Sequence, residues 1–228
     1  MTLAHSAGFV VAVDGPAGAG KSTVARGLAR RLGYTFVDTG ALYRTVALTA
    51  KERQIGWNDG SRLGELARLL TIAFAKDGEQ IRVIADGKDV TDAIRTPEIS
   101  EGASRVSALP EVRAGLLDLQ RRVASTANVV AEGRDVGTVV FPSAQVKFFL
   151  IAKPETRALR RTLELQAKGQ PAVLAEVLAD MRARDERDSG RQVAPLRQAE
   201  DAIAIDTSEL TPDEVVDRME QIVLSRGV

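Results

Sequence analysis

The chain has no cysteine, one histidine and few aromatic residues: two Tyr, one Trp and six Phe among 228 positions. Without Cys there is no disulfide, no thiolate nucleophile and no Cys-ligated zinc, and the composition suits a reducing cytoplasm. His5 sits in the polar N-terminal stretch and reads as a mobile surface residue. Acid–base chemistry then has to rest on Asp, Glu or Lys, or need no protein base. An excess of charge is also missing, with 31 basic against 31 acidic residues and a net charge of +0. A dedicated nucleic-acid binder carries a basic excess, so no nucleic-acid partner is expected, although a local arginine cluster could hold a small anion. Long hydrophobic runs are absent too. "VKFFLIA" at 146–152 is far too short to cross a bilayer, and "MTLAHSAG" lacks the basic and apolar regions of a secretory signal. The expectation is a soluble, cytoplasmic protein without membrane contact.

What is present begins with "VVAVDGPAGAGKSTVARGLARRLG" at 10–33. The pattern predicts a buried strand over 8–14, a helix over 21–32, a strand over 34–38 and a helix over 40–53, a βαβα opening that implies a parallel sheet. Further short apolar strands are predicted at 128–132, 146–151 and 202–206, and a closing helix over 211–225 with Thr211 and Glu214 spaced as a capping box. The middle differs. Residues 71–91 hold two strand-like runs parted by Asp77-Gly78 and a third after Asp86-Gly87, the signature of antiparallel hairpins. The fold class is thus α/β, one domain over 1–228. A parallel-sheet core flanked by helices (8–62, 99–152 and 198–228) carries a small antiparallel β insert subdomain at about 63–98. The arginine-rich helical stretch 153–197 is the expected lid.

Residues 15–22, "GPAGAGKS", match G-x-x-x-x-G-K-[ST] between a strand and a helix. The glycines let successive backbone N–H groups curl inward toward phosphates, and the helix N-terminus adds partial positive charge. Gly15, Pro16, Ala17, Gly18, Ala19, Gly20, Lys21, Ser22 and Thr23 form the candidate triphosphate cradle. Lys21 is placed to reach the β- and γ-phosphates, and the Ser22 hydroxyl to ligate Mg²⁺. A switch GTPase is excluded by reading: no Asp is followed by Gly three residues later, and neither Asn58 nor Asn128 precedes Lys. Glu132, ending a strand, could orient water in an ATPase.

Arginines point instead to a second anionic substrate. Arg44 in "DTGALYR", whose Thr39 is a candidate helix cap, and Arg134 with Asp135 in "AEGRDVGT" each follow a predicted strand, where open α/β sheets bind ligands. In "RARDERDSGR", Arg184, Arg187, Asp188 and Arg191 would share one helix face. Taken alone, that group fits solvated i,i+4 salt bridges slightly better than a site. If the acceptor is itself a phosphate, its oxygen is already ionised and no general base is needed.

Together, "DGPAGAGKST", "DTGALYR", "AEGRDVGTVVFP" and "RDERDSGRQVAPL" resemble the bacterial cytidylate kinase family over nearly the whole chain. The resemblance implies a P-loop nucleoside-monophosphate kinase fold with an insert, and transfer of the γ-phosphate of ATP to CMP or dCMP with Mg²⁺. It implies that Arg44, Arg134 and Arg191 grip the CMP phosphate, with Thr39 standing where serine is common. It implies that Ser104, Arg113 and Asp135 read cytosine, and that Arg184 and Asp188 contact the sugar. Lys21, Arg134, Arg184 and Arg191 would form the catalytic set. Arg157 and Arg161 are expected near ATP, Ser22 on the metal, and the protein is expected to be a monomer. The "D-G-F-P-R" signature of adenylate kinases is replaced by "EGRDVG", which argues against AMP. The alternatives are a P-loop kinase for UMP or a non-nucleotide acceptor, and a nucleotide-binding regulator. The insert, lying before Ser104 and Arg113, is expected to close over the acceptor.

Overall fold

A computed structural model describes residues 8–77, 80–124 and 127–227. His5 and Gly78 of the predicted turn lie outside the described residues. The chain divides into two compact units, Met1–Val37 with Arg121–Val228, and Asp38–Gln120.

The first unit is built on a parallel sheet of five strands in the order β2-β6-β1-β7-β8. Their ranges are β1 Val10–Asp14, β2 Thr35–Asp38, β6 Val129–Glu132, β7 Val146–Ile151 and β8 Ile203–Asp206. Every residue of β1 and β6 is buried, as central strands covered on both faces must be. Val11 of β1 pairs with Val130 of β6 and Val146 of β7, which places the ends of all three strands together. Helix α1 (Lys21–Leu32) starts at Gly20 and stops at Gly33, both left-handed. It packs against α8 (Pro212–Ser225), where the absence of a side chain at Gly27 admits Val216; an added Cβ would lie 3.1 Å from its Cγ2. The predicted capping box at the start of α8 is present, with Thr211 and Glu214 bonding each other's backbone N–H. Helices α6 (Pro154–Ala167) and α7 (Leu174–Ser189) share a small core of Ala158, Val177 and Met181.

The second unit holds α2 (Thr39–Glu52), α3 (Gly60–Leu69), α4 (Pro97–Val106), most of α5 (Pro110–Ala124) and the antiparallel sheet β3 (Ile72–Asp77), β4 (Gln80–Ala85) and β5 (Lys88–Asp89). At the β4–β5 turn Asp86 (φ 46°) and Gly87 (φ 82°) are both left-handed, the geometry a two-residue hairpin turn requires. Its core runs through Leu42, Val46, Leu63, Ile94, Val106 and Leu116, with Trp57 packed against it. The sheet falls inside 63–98, and the compact unit that contains it is wider.

Two local readings are corrected. The N-cap of α2 is Asp38, whose Oδ1 accepts from Ala41 N at 2.9 Å, so Thr39 is the first helical residue rather than the cap. Helix α7 ends at Ser189 with Gly190 as its C-cap, so Arg191 does not continue the helix face of Arg184 and Asp188. Gly190 stops the helix, and the chain folds back until Leu196 N donates to Asp188 O at 2.8 Å.

Candidate active site

In the first unit the loop between β1 and α1 is shaped by three glycines with positive φ, a conformation other residues rarely adopt. Gly15 (φ 145°) runs so close to β7 that a Cβ would sit 2.2 Å from Leu150 O. Gly18 (φ 72°) passes beneath α7, where a Cβ would meet Met181 Cε at 2.7 Å. Gly20 (φ 84°) turns the chain into α1 and aims the unbonded amides of its first turn at the loop.

Lys21 is buried in this loop, and its Nζ donates to Pro16 O at 2.6 Å. Burial, the main cause, and the charges of Arg134 and Arg184 bring its pKa down to about 7, against the opposing pull of Glu132 and Asp14. A triphosphate would reverse that balance, since it supplies the anion the buried ammonium lacks. Ser22 and Thr23 are exposed. No group of three or more His, Cys, Asp or Glu side chains suited to a metal occurs among the described residues. A Mg²⁺ ion keeps several waters and needs only one or two protein groups beside phosphate oxygens, and the exposed hydroxyl of Ser22 could serve as one.

The arginines that sequence order scatters come together on Asp188, which is 1% exposed. Arg134 Nε donates to Asp188 Oδ2 at 3.0 Å, Arg184 Nε lies 3.9 Å from the same oxygen, and Arg191 Nη2 bonds Oδ1. Burial works to raise the pKa of this carboxyl, yet Arg134, Arg191 and Arg184 together hold it below the usual carboxylate range. Three guanidiniums on one carboxylate, within the field of Lys21, make a cationic focus beside the phosphate loop. These pairs on Asp188 are therefore not solvated surface salt bridges.

Arg157 is buried and works as a clamp. Its Nη1 donates to Ala17 O at 3.0 Å and to Asp185 Oδ2 at 2.6 Å, and its Nε to Ala152 O at 3.0 Å. It thus ties the phosphate loop to α6 and α7. Arg161 bonds Glu164 at 2.8 Å on its own helix. Asp135 is buried, just before the π-type turn Val136–Val140.

In the second unit Arg44 Nη2 donates to Asp38 Oδ2 at 2.6 Å, and its guanidinium lies over Gly40, where a Cβ would come within 3.2 Å of Nη1. Ser104 and Arg113 are buried and linked through Ser107, whose Oγ donates to Ser104 O at 3.1 Å and whose carbonyl accepts from Arg113 Nη1 at 3.0 Å. The Arg113 guanidinium sits 5.5 Å from the centre of the Tyr43 ring, a cation–π contact. Sequence reading missed Tyr43, Asp185 and Asp14, the carboxylate closing β1. Only Asp14 left a signal, as an acidic residue directly before the phosphate loop.

A family profile described as "Cytidylate kinase" matches residues 11–225. The chain is 54% identical over 226 residues to the cytidylate kinase of Geobacter sulfurreducens and 51% identical over 226 residues to that of Geobacter sp. strain M21. Both alignments span 99% of this chain and 97% of the relative. The cytidylate kinase of Carboxydothermus hydrogenoformans is 47% identical over 93% of this chain and 96% of its own. Among solved structures, that of an uncharacterized protein from Eubacterium ventriosum covers 95% of this chain and 99% of its own with a TM-score of 0.53 at 11% identity, a likeness of fold alone.

Proposed function

This chain belongs to the cytidylate kinase family, and on that premise we propose that it transfers the γ-phosphate of ATP to CMP or dCMP, giving ADP and CDP or dCDP in pyrimidine nucleotide metabolism. The observation that carries the reading is the convergence of Arg134, Arg184 and Arg191 on Asp188 beside a complete phosphate loop. Phosphoryl transfer between two phosphates needs little acid–base chemistry. It needs alignment, charge neutralisation and exclusion of water. Gly15 to Thr23 bind the donor phosphates, and Lys21 exchanges its bond to Pro16 O for phosphate oxygens. Ser22 would hold Mg²⁺ together with the nucleotide, and the ion would supply positive charge to the β- and γ-phosphates.

Arg134, Arg184 and Arg191 neutralise charge on the transferred group and the acceptor. Arg44 and Thr39 bind the acceptor phosphate, and Asp188 with Arg184 binds the ribose. Ser104, Arg113 and Asp135 read cytosine, because an Asp can accept from the exocyclic amine that uracil lacks while an Arg donates to the ring carbonyl and N3. Arg157 supports ATP through the carbonyl it holds in the loop, and Arg161 stands further along the same helix. The stretch 153–197 acts as a lid and the insert at 63–98 closes over the acceptor. No described helix is long and apolar enough to cross a membrane. The absence of cysteine suits a cytoplasmic enzyme, and we infer that it acts as a monomer.

The test is ADP formation from Mg·ATP with AMP, GMP, UMP, CMP and dCMP offered separately. A response confined to CMP and dCMP supports the reading, and Asp135→Ala should then lower kcat/KM for CMP far more than for UMP. No response to any acceptor, with ATP binding intact, refutes it.

A further inference from the structure

The chain between β6 and the π-type turn is fastened at both ends by two successive residues of β1. Gly133 N donates to Val13 O at 3.0 Å, closing the β1–β6 ladder. Three residues later Val136 N donates to Asp14 Oδ1 at 2.8 Å and Gly137 N to Asp14 Oδ2 at 2.7 Å. Between these anchors lie only Arg134 and Asp135. Asp14 is 4% exposed, and Gly137 approaches it so closely that a Cβ there would lie 3.3 Å from Oδ2. Burying a carboxylate is costly, and this one is pushed up to about 6, chiefly by burial and against the two amide bonds that favour its charged form. The proximity of Asp135 pushes it further the same way, and Lys21 pulls against it. A carboxylate at this place is the one side chain of its size that offers two acceptors to two adjacent N–H groups; an amide offers one acceptor and a donor that would face an N–H.

We propose that Asp14 is a positioning residue, whose two oxygens pin the backbone after Arg134 and Asp135 so that this pair is held in the orientation that selects the acceptor. The residue that ends the donor loop's own strand thereby fixes the residues that recognise the other substrate. This rests on the proposed roles of Arg134 and Asp135 and extends them to a residue that touches neither substrate.

Asp14→Asn keeps the shape and removes one acceptor. Amide hydrogen exchange of Val136 and Gly137, followed residue by residue in the ligand-free protein, should quicken by about tenfold or more, the loss expected for a charge-assisted hydrogen bond. The kcat/KM preference for CMP over UMP should fall by about tenfold, while the Kd for Mg·ATP stays within about threefold, a pattern that general destabilisation would not produce. Gly137→Ala attacks the same bonds from the other side, leaves the carboxylate in place and should shift both readouts the same way; it serves if Asp14→Asn does not fold. Amides that stay protected overturn the proposal, as do released amides with an unchanged CMP preference. A wild-type enzyme without any CMP preference would instead refute the proposed function; the exchange result would then show Asp14 to be a structural clasp only, and the positioning role would fall with it.

Discussion

Nucleotide binding should be coupled to proton uptake at Lys21. In the free protein this lysine is buried, bonded to Pro16 O and facing the positive charges of Arg134 and Arg184, and its pKa falls to about 7. At pH 8 such a group is charged in only about one molecule in ten. A bound triphosphate removes the reason for the depression by placing several negative charges where the ammonium points, so the lysine becomes fully charged. Binding of Mg·ATP at pH 8 should then take up about 0.9 proton, at pH 7 about 0.5 and at pH 6 about 0.1. The γ-phosphate contributes little at pH 8, where its second ionisation is complete. The assay is titration calorimetry in buffers of different ionisation enthalpy, in which the slope of observed heat against buffer enthalpy counts protons. Lys21→Met, which keeps length without charge, should bring the slope at pH 8 to near zero. The sign for stability follows from the same shift. The folded-state pKa lies below the ordinary lysine value, so this group's contribution is intact above about 10.5 and is lost as pH falls toward 7. A wild-type slope of zero at pH 8 would show Lys21 already charged in the free protein, and no such coupling would exist.

Two other perturbations probe the units separately. Arg157→Ala removes three hydrogen bonds, one to Ala17 O of the phosphate loop, one to Asp185 of α7 and one to Ala152 O just ahead of its own helix. It should raise the KM for ATP by tenfold or more, on the order expected when buried partners are left unpaired, with a smaller effect on the KM for CMP; steady-state kinetics with each substrate varied decides it. Gly102→Ala should destabilise the second unit by about 1–3 kcal/mol, because the new methyl would sit 2.6 Å from the Trp57 ring that packs on that core. Denaturant unfolding followed by the fluorescence of this sole Trp measures it.

The elements that sequence reading placed well were those with local causes. The phosphate loop is legible because its glycines, lysine and hydroxyl stand at fixed spacing between an apolar strand and an amphipathic helix. The β4–β5 hairpin is legible because Asp86-Gly87 supplies the left-handed turn it needs. The misreadings have equally local reasons. Asp38 and Thr39 are adjacent and both cap helices well; the choice fell to Asp38, which bonds Ala41 N with one oxygen and Arg44 with the other. Regular helix spacing puts Arg191 on the face of Arg184 and Asp188, but Gly190 ends the helix, and the guanidinium of Arg191 still bonds Asp188 from beyond that end. The Arg134–Asp188 pair and the Asp14 clasp had no local signal, unlike Arg184 and Arg191, which stand four and three residues from Asp188. The partners in that pair and in the clasp lie 54 and 122 residues apart in the chain, and for Asp14 the pairing of β1 with β6 brings them together. Tyr43 beneath Arg113 belongs with them, as its ring reads equally well as ordinary helix core.

The central claim is that the phosphate leaves ATP for a nucleotide and not for water. The most direct measurement follows the label of [γ-³²P]ATP after incubation with Mg²⁺ and CMP, separating nucleoside diphosphates from inorganic phosphate. The label should appear on CDP, with little free phosphate whether or not CMP is present. Label released as inorganic phosphate at the same rate with and without CMP would contradict it.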